Sequence, residues 1–198
     1  CNRIRTGLLI NGYSQALEAM KDKQFLTLTL PNVTGAQLRT TIKGMILAVR
    51  NIQEYRRRKL KLPGINCIRK LECTYNAEKN TYHPHFHFII DGIQEAEYLL
   101  DEWMKKYPAA DRRAQKIVEA YNPAELFKYF TKLTSKTSTI VDKNGKIRIA
   151  QEYHFPEALD TIFQAIERVR IIQPMGKIKL VKDDIDELHA ETVDETVQ

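Results

Sequence analysis

Tyr82-His83-Pro84-His85-Phe86-His87-Phe88-Ile89-Ile90 alternates polar and apolar residues with a period of two. That period belongs to a β-strand, whose successive side chains point to opposite faces of a sheet. His83, His85 and His87 therefore line up on one face, while Pro84, Phe86 and Phe88 point to the other. Imidazoles at i and i+2 on one strand face can converge on a metal ion. A half-buried strand carrying incidental histidines is the simpler alternative. Three of the five histidines of the chain fall within these five residues, which favours the metal.

The segment before this strand supplies its partner. Pro63-Gly64 breaks the chain, and Ile65 to Asn76 alternates again, with Ile65, Cys67, Leu71 and Cys73 sharing an apolar face with Arg69. Lys70, Glu72 and Thr74 take the other face. Asn76-Ala77-Glu78-Lys79-Asn80 reads as a turn, so the two strands form an antiparallel hairpin that brings Glu72 and the three histidines onto one face.

Further out, Phe25 to Leu30 is a strand with Leu26, Leu28 and Leu30 on one side and Phe25, Thr27 and Thr29 on the other. Thr34 caps a helix expected to run to about Lys59, with an apolar stripe of Leu38, Ile42, Met45, Ile46, Val49 and Ile52. It ends in Arg56-Arg57-Arg58, either a solvated cationic helix end or a contact to a DNA backbone. Ala96 to Tyr107 is helical, packing through Tyr98, Leu99, Trp103 and Met104. Gln115 to Ala120 is a strand. Asp142-Lys143-Asn144-Gly145 is a hairpin turn between two short strands. Phe155 to Ile171 is a helix packing through Leu159, Ile162, Phe163, Ile166 and Val169, and Arg170 to Pro174 is a strand or a helix end.

Asn122-Pro123 opens another helix, expected to reach about Thr134. Glu125 and Tyr129 lie one turn apart on one face, flanked by Lys128 and Lys132. A tyrosine beside lysines can act as a nucleophile toward phosphate, because the lysines favour the phenolate and neutralise phosphoryl charge. Taken alone, the pattern also describes an ordinary surface helix.

The 198 residues suffice for one good-sized domain, and no stretch is apolar enough to span a membrane. No signal-peptide pattern appears, so a cytoplasmic protein is expected. The chain begins at Cys1 rather than Met, which suggests a piece of something longer. The net charge is +6, but Asp183 to Gln198 holds seven of the 25 acids and no Lys or Arg, so residues 1–182 carry 31 bases against 18 acids. A formal charge of +13 on that part suits a polyanionic partner, nucleic acid first. Cys1, Cys67 and Cys73 are odd in number and lack Cys-x-x-Cys spacing, as expected for reduced thiols. The expected organisation is a lead-in over 1–23 with a short helix near Ser14 to Met20, a main domain over 24–182, and an acidic tail over 183–198.

Three stretches together resemble the rolling-circle plasmid replication initiators of the HUH (His-hydrophobic-His) endonuclease superfamily, in the branch with a single catalytic tyrosine. They are Phe25 to Asn32, Arg69 to Asn76 running into His83 to His87, and Glu125 to Lys132, in the family's order. The resemblance implies an α+β fold, with a central antiparallel sheet, helices packed on one face and the active site on the other. It implies that His85 and His87 ligate a divalent metal, Mg²⁺ or Mn²⁺, with Glu72 or His83 as third ligand. Tyr129 would be the nucleophile, Glu125 the acid that activates water, and Thr27, Thr29 and the arginines would position DNA. The implied partners are single-stranded or hairpin origin DNA and the helicase and polymerase of a bacterial host. The rivals are a relaxase or single-tyrosine transposase of the same superfamily, a zinc-dependent hydrolase, and a non-catalytic DNA-binding module.

Overall fold

A computed structural model describes residues 12, 13, 15–120 and 155–178, and the backbone of 136–141 and 147–153. Five strands form one antiparallel sheet in the order β4-β1-β3-β2-β7. Here β1 is Lys23–Thr29, β2 Cys67–Asn76, β3 Thr81–Asp91, β4 Lys116–Glu119 and β7 Ile172–Met175. The remaining strands, β5 (Lys136–Val141) and β6 (Ile147–Tyr153), pair as a separate antiparallel hairpin. The helices are α1 (Gly35–Arg58), α2 (Ile93–Lys106) and α3 (Pro156–Ala165). The fold is α+β, with the histidine strand β3 at the centre of the sheet.

Alternation sorts the sheet into two faces. Leu26 and Leu28 of β1, Leu71 and Cys73 of β2, and Phe86, Phe88 and Ile90 of β3 are buried together with the α1 stripe of Leu38, Ile42, Met45, Val49 and Ile52. Trp103 of α2 and Ile162 of α3 complete this core. The helix α1 starts where expected. Thr34 and Gln37 form a capping box, which satisfies two of the backbone N–H groups that a helix leaves orphaned at its start.

Three expectations need correction. The helix from Phe155 is shorter than its apolar period suggested: it stops at Ala165, and Arg168 takes a left-handed φ of +60° in the turn that follows. That reversal feeds Ile172–Met175 onto the edge of the sheet as β7, so Val169 belongs to the connection. Phe163, expected to pack, is exposed, and Ala158 and Ala165 are buried beside Ile162 instead. On the opposite sheet face, Tyr13, Leu17 and Met20, from a segment with helical residues at 12–13 and 15–18, cover Ile68 and Ile89. The metal face is thus partly roofed by apolar packing, a role the polar-looking lead-in did not announce. The helix expected over 123–134, the turn at 142–145 and the acidic tail lie outside the described residues.

Candidate metal centre

The register of the central strands determines which side chains meet. Glu72 lies opposite His85 and Lys70 opposite His87 across the β2–β3 pair. On the other flank Thr29 lies opposite His85 and Thr27 opposite His87, and β4 places Lys116 opposite Thr27. One row across the face therefore reads Lys116, Thr27, His87, Lys70.

Glu72, His85 and His87 offer ligand atoms that all lie within 4.8 Å of one another. Glu72 Oε1 is 3.9 Å from His85 Nε2, and Oε2 is 3.7 Å from His87 Nε2. Both separations exceed a hydrogen bond. Burial holds the His85 imidazole below its ordinary pKa. For His87, burial first, then the charges of His85 and Lys70, push the value down to about 3. Both rings are therefore neutral near pH 7, and their approach to Glu72 is a set of lone pairs around one centre rather than ion pairing. Metal bonds of about 2.0–2.2 Å require only small side-chain rotations from this spacing.

The ring orientations are fixed from behind. His85 Nδ1 lies 3.0 Å from the carbonyl oxygen of His83. A carbonyl only accepts, so the proton sits on Nδ1 and Nε2 keeps its lone pair toward Glu72. His87 Nδ1 lies 3.1 Å from Thr27 Oγ1, and Phe25 stacks on the ring with centroids 5.1 Å apart. Such partners behind metal-ligating histidines fix tautomer and direction. The donor set of two imidazoles and a carboxylate fits a divalent ion of intermediate softness.

His83 stands apart from this group. Its Nδ1 lies 3.0 Å from Asn32 Oδ1, and Asn32 Nδ2 donates to Thr81 Oγ1 at 3.0 Å. Asn32, at the end of the Phe25-to-Asn32 stretch, thereby ties the loop after β1 to the start of β3, where Val33 and Tyr82 exchange backbone hydrogen bonds. Among the described residues, Glu72 rather than His83 completes the cluster with His85 and His87.

The sequence had put Lys70 on this face without giving it a task. It is 3% exposed, and its Nζ donates to Glu72 Oε2 at 3.0 Å. Burial lowers the Lys70 pKa and the Glu72 carboxylate pulls it back up. A cation is thus already built in beside the carboxylate. The signal was available in the hairpin register, which sets Lys70 beside Glu72 and across from His87.

The residues read as DNA-positioning divide. Thr27 hydrogen-bonds His87. Thr29 is buried: its backbone N–H donates to Gln115 Oε1 at 2.7 Å, and its hydroxyl accepts from Gln115 Nε2 at 3.2 Å. Arg56, Arg57 and Arg58 end α1 in the helix layer, on the side of the sheet away from Glu72, His85 and His87. Arg56 is engaged there, donating to the Pro63 carbonyl and to Glu95, with its guanidinium 4.9 Å from the centroid of the Tyr98 ring. Arg57 and Arg58 are exposed. Tyr129, Glu125, Lys128 and Lys132 lie outside the described residues.

Against known proteins, the chain matches a replication protein family along residues 1–198. It is 44% identical over 66 residues to a protein rep of a Bacillus species, covering 33% of this chain and 21% of that protein. A protein rep of Streptococcus pneumoniae is 38% identical over 78 residues, covering 37% and 24%. One from Staphylococcus aureus is 36% identical over 84 residues, covering 40% and 36%. The matched stretches thus span from about a fifth to about a third of these relatives' lengths. No solved structure matches the chain.

Proposed function

The chain belongs to this replication protein family, and on that premise we propose that it nicks and rejoins single-stranded origin DNA to start rolling-circle plasmid replication. The observation that carries the proposal is the Glu72–His85–His87 cluster, its histidine rings preset by neighbours, on the sheet face away from the main helix layer. A Mg²⁺ or Mn²⁺ ion held there supplies Lewis-acid neutralisation of the scissile phosphate. Mn²⁺ is expected to bind more tightly, because imidazole is a softer ligand than Mg²⁺ prefers.

The Tyr129 hydroxyl oxygen attacks the phosphorus as it loses its proton. An O–P bond forms to the tyrosine, the bond from phosphorus to the 3′ oxygen breaks, and that oxygen takes up a proton as a free 3′-hydroxyl. The product is a 5′-phosphotyrosine, and the 3′ end primes synthesis by the polymerase of the host behind its helicase. One phosphodiester has been exchanged for another, so the step reverses to join strands. Lys128 and Lys132 stabilise the phenolate and the phosphoryl charge. Lys116, beside Thr27 on the metal face, is a cation for the incoming backbone. Glu125 acts as general base for water at termination, releasing the enzyme by hydrolysis.

The test is incubation with a single-stranded origin oligonucleotide and Mn²⁺, followed by denaturing electrophoresis. A covalent protein–DNA band that vanishes in Tyr129→Phe is expected, and a band that survives in that variant rejects the nucleophile. Glu125→Ala should still form the adduct yet fail to terminate. Equal losses in both steps would reduce Glu125 to a structural role.

A further inference from the structure

A second charged feature lies on the other side of the sheet. Between α1 and the edge strand β7 runs a groove of about 820 Å³ whose lining includes Arg50, Glu54, Arg57, Arg69 and Lys177. Glu54 is paired with Arg50 at 3.1 Å, so the lining keeps a positive excess. The stem of Arg57 lies over Gly64, where an added Cβ would meet Arg57 Cδ at 3.4 Å.

Arg69 is the informative residue. It is 2% exposed, its guanidinium carbon lies 4.9 Å from the centroid of the Phe86 ring, and Nη2 donates to the Arg170 carbonyl at 2.8 Å. Its Nε has no hydrogen-bond partner, and no carboxylate is paired with it among the described residues. A buried cation without a counter-charge is costly, and an anion entering the groove would offset that cost. The groove is the side from which an anion can approach.

We propose that this groove takes the phosphodiester backbone of duplex DNA flanking the nick, with Arg57 and Lys177 contacting phosphates and Arg69 supplying the field at the floor. The inference rests on the reading of the chain as a DNA-nicking initiator. Duplex is favoured over unpaired strand because no aromatic side chain lines the groove among the described residues, and single-strand sites characteristically stack bases on aromatic rings. The acidic segment 183–198 is the competing anion. The last described residue before it, Ile178, packs with Ile68 and Ile89 on the metal face rather than in the groove. A single chain would then grip its origin on both sides of the sheet, unpaired strand at the metal and duplex at the helix layer.

The experiment is fluorescence anisotropy of the full chain with a duplex oligonucleotide and with an unpaired thymidine oligonucleotide across a series of salt concentrations. Each phosphate contact contributes about 0.9 to the slope of log K against log salt on duplex. Arg57→Ala and Lys177→Ala should each reduce the duplex slope by about 1 and leave the slope on the unpaired strand unaltered. Lys105→Ala, at an ion pair with Glu102 on α2, should leave both unaltered. Arg69→Met should weaken duplex binding. If that variant fails to fold, the two exposed positions still decide. Duplex slopes indifferent to Arg57 and Lys177, or a fall confined to the unpaired strand, would overturn the proposal. So would a duplex slope that responds to them only after Asp183, Asp184, Asp186 and Glu187 are changed to amides, which would place the tail in the groove. Absence of a covalent adduct would refute the nicking reading by a separate assay and leave the duplex slopes to be judged independently.

Discussion

Arg69 and Lys70 are neighbours on β2, both almost fully buried, and they face opposite sides of one sheet. On the metal side Lys70 is held by the Glu72 carboxylate at 3.0 Å. On the helix side Arg69 rests on the Phe86 ring and one carbonyl, and burial brings its pKa down to about 10. The contrast separates two uses of buried charge. Around Glu72 the protein has balanced its own charges before any ion arrives. Beneath the groove Arg69 has no paired carboxylate among the described residues.

The sharpest way to break the comparison is to remove the shared carboxylate. Glu72→Ala takes away a proposed metal ligand and the carboxylate to which Lys70 Nζ donates. Mn²⁺ binding by calorimetry should be lost, and chemical denaturation should show a loss of about 3 kcal/mol, the scale for breaking a buried pair from one side. The double variant Lys70→Met with Glu72→Gln should recover most of that stability and none of the Mn²⁺ binding.

Acid should act next most strongly, and only on the metal side. His87 titrates at about 3 in the folded protein, against an ordinary value of 6.5. The unfolded chain therefore binds the extra proton between those values. The stability contributed by neutral His87 is complete above pH about 6.5 and is lost as pH falls toward 3, by up to about 1.4 kcal/mol per pH unit. Denaturation curves at pH 7 and pH 4.5 check this. Mn²⁺ at 100 times its dissociation constant should add about 2.7 kcal/mol at the higher pH, and the increment should shrink on acidification.

Methionine at each of the two cations sharpens the contrast further. Lys70→Met should destabilise by about 2 kcal/mol, since Glu72 loses its buried partner. Arg69→Met should change stability by less than about 1 kcal/mol, because the lost stacking and hydrogen bond are offset by removal of an uncompensated charge. Equal losses at the two positions would erase the distinction.

The smallest effect is expected at Thr27. Thr27→Val removes the hydroxyl behind His87 while keeping the shape, so Mn²⁺ affinity should fall about 10-fold with stability changed by less than about 1 kcal/mol.

Much of this architecture could be read from periodicity. The alternation at His83 to Phe88 and at Cys67 to Cys73 orders both faces of the hairpin, and a short turn leaves them one way to pair. Glu72 was thereby delivered to the histidines. The choice between Glu72 and His83 was not legible, because it depends on Asn32, which takes the His83 ring. Thr27 could be placed on the right face, but its hydrogen bond to His87 follows from the β1–β3 register, which local pattern does not contain. The end of α3 was hidden for a different reason: Ile166 and Val169 continue the apolar spacing through a turn that Arg168 makes by adopting a positive φ.

The position of β3 has one more consequence. It pairs with β2 over Thr81–Ile90 and with β1 over His85–Asp91, and Phe86, Phe88 and Ile90 anchor it in the main core. Amides on such a strand exchange with solvent only when the whole domain opens, whereas edge strands such as β4 and β7 fray far more readily. Two of the three proposed ligands therefore sit on a central strand whose amides are expected to be among the best protected of the described residues. If the cluster holds the proposed metal, loading and stripping it should leave the amide protection of His85 and His87 native-like, so that an ion would come and go without the scaffold being rebuilt.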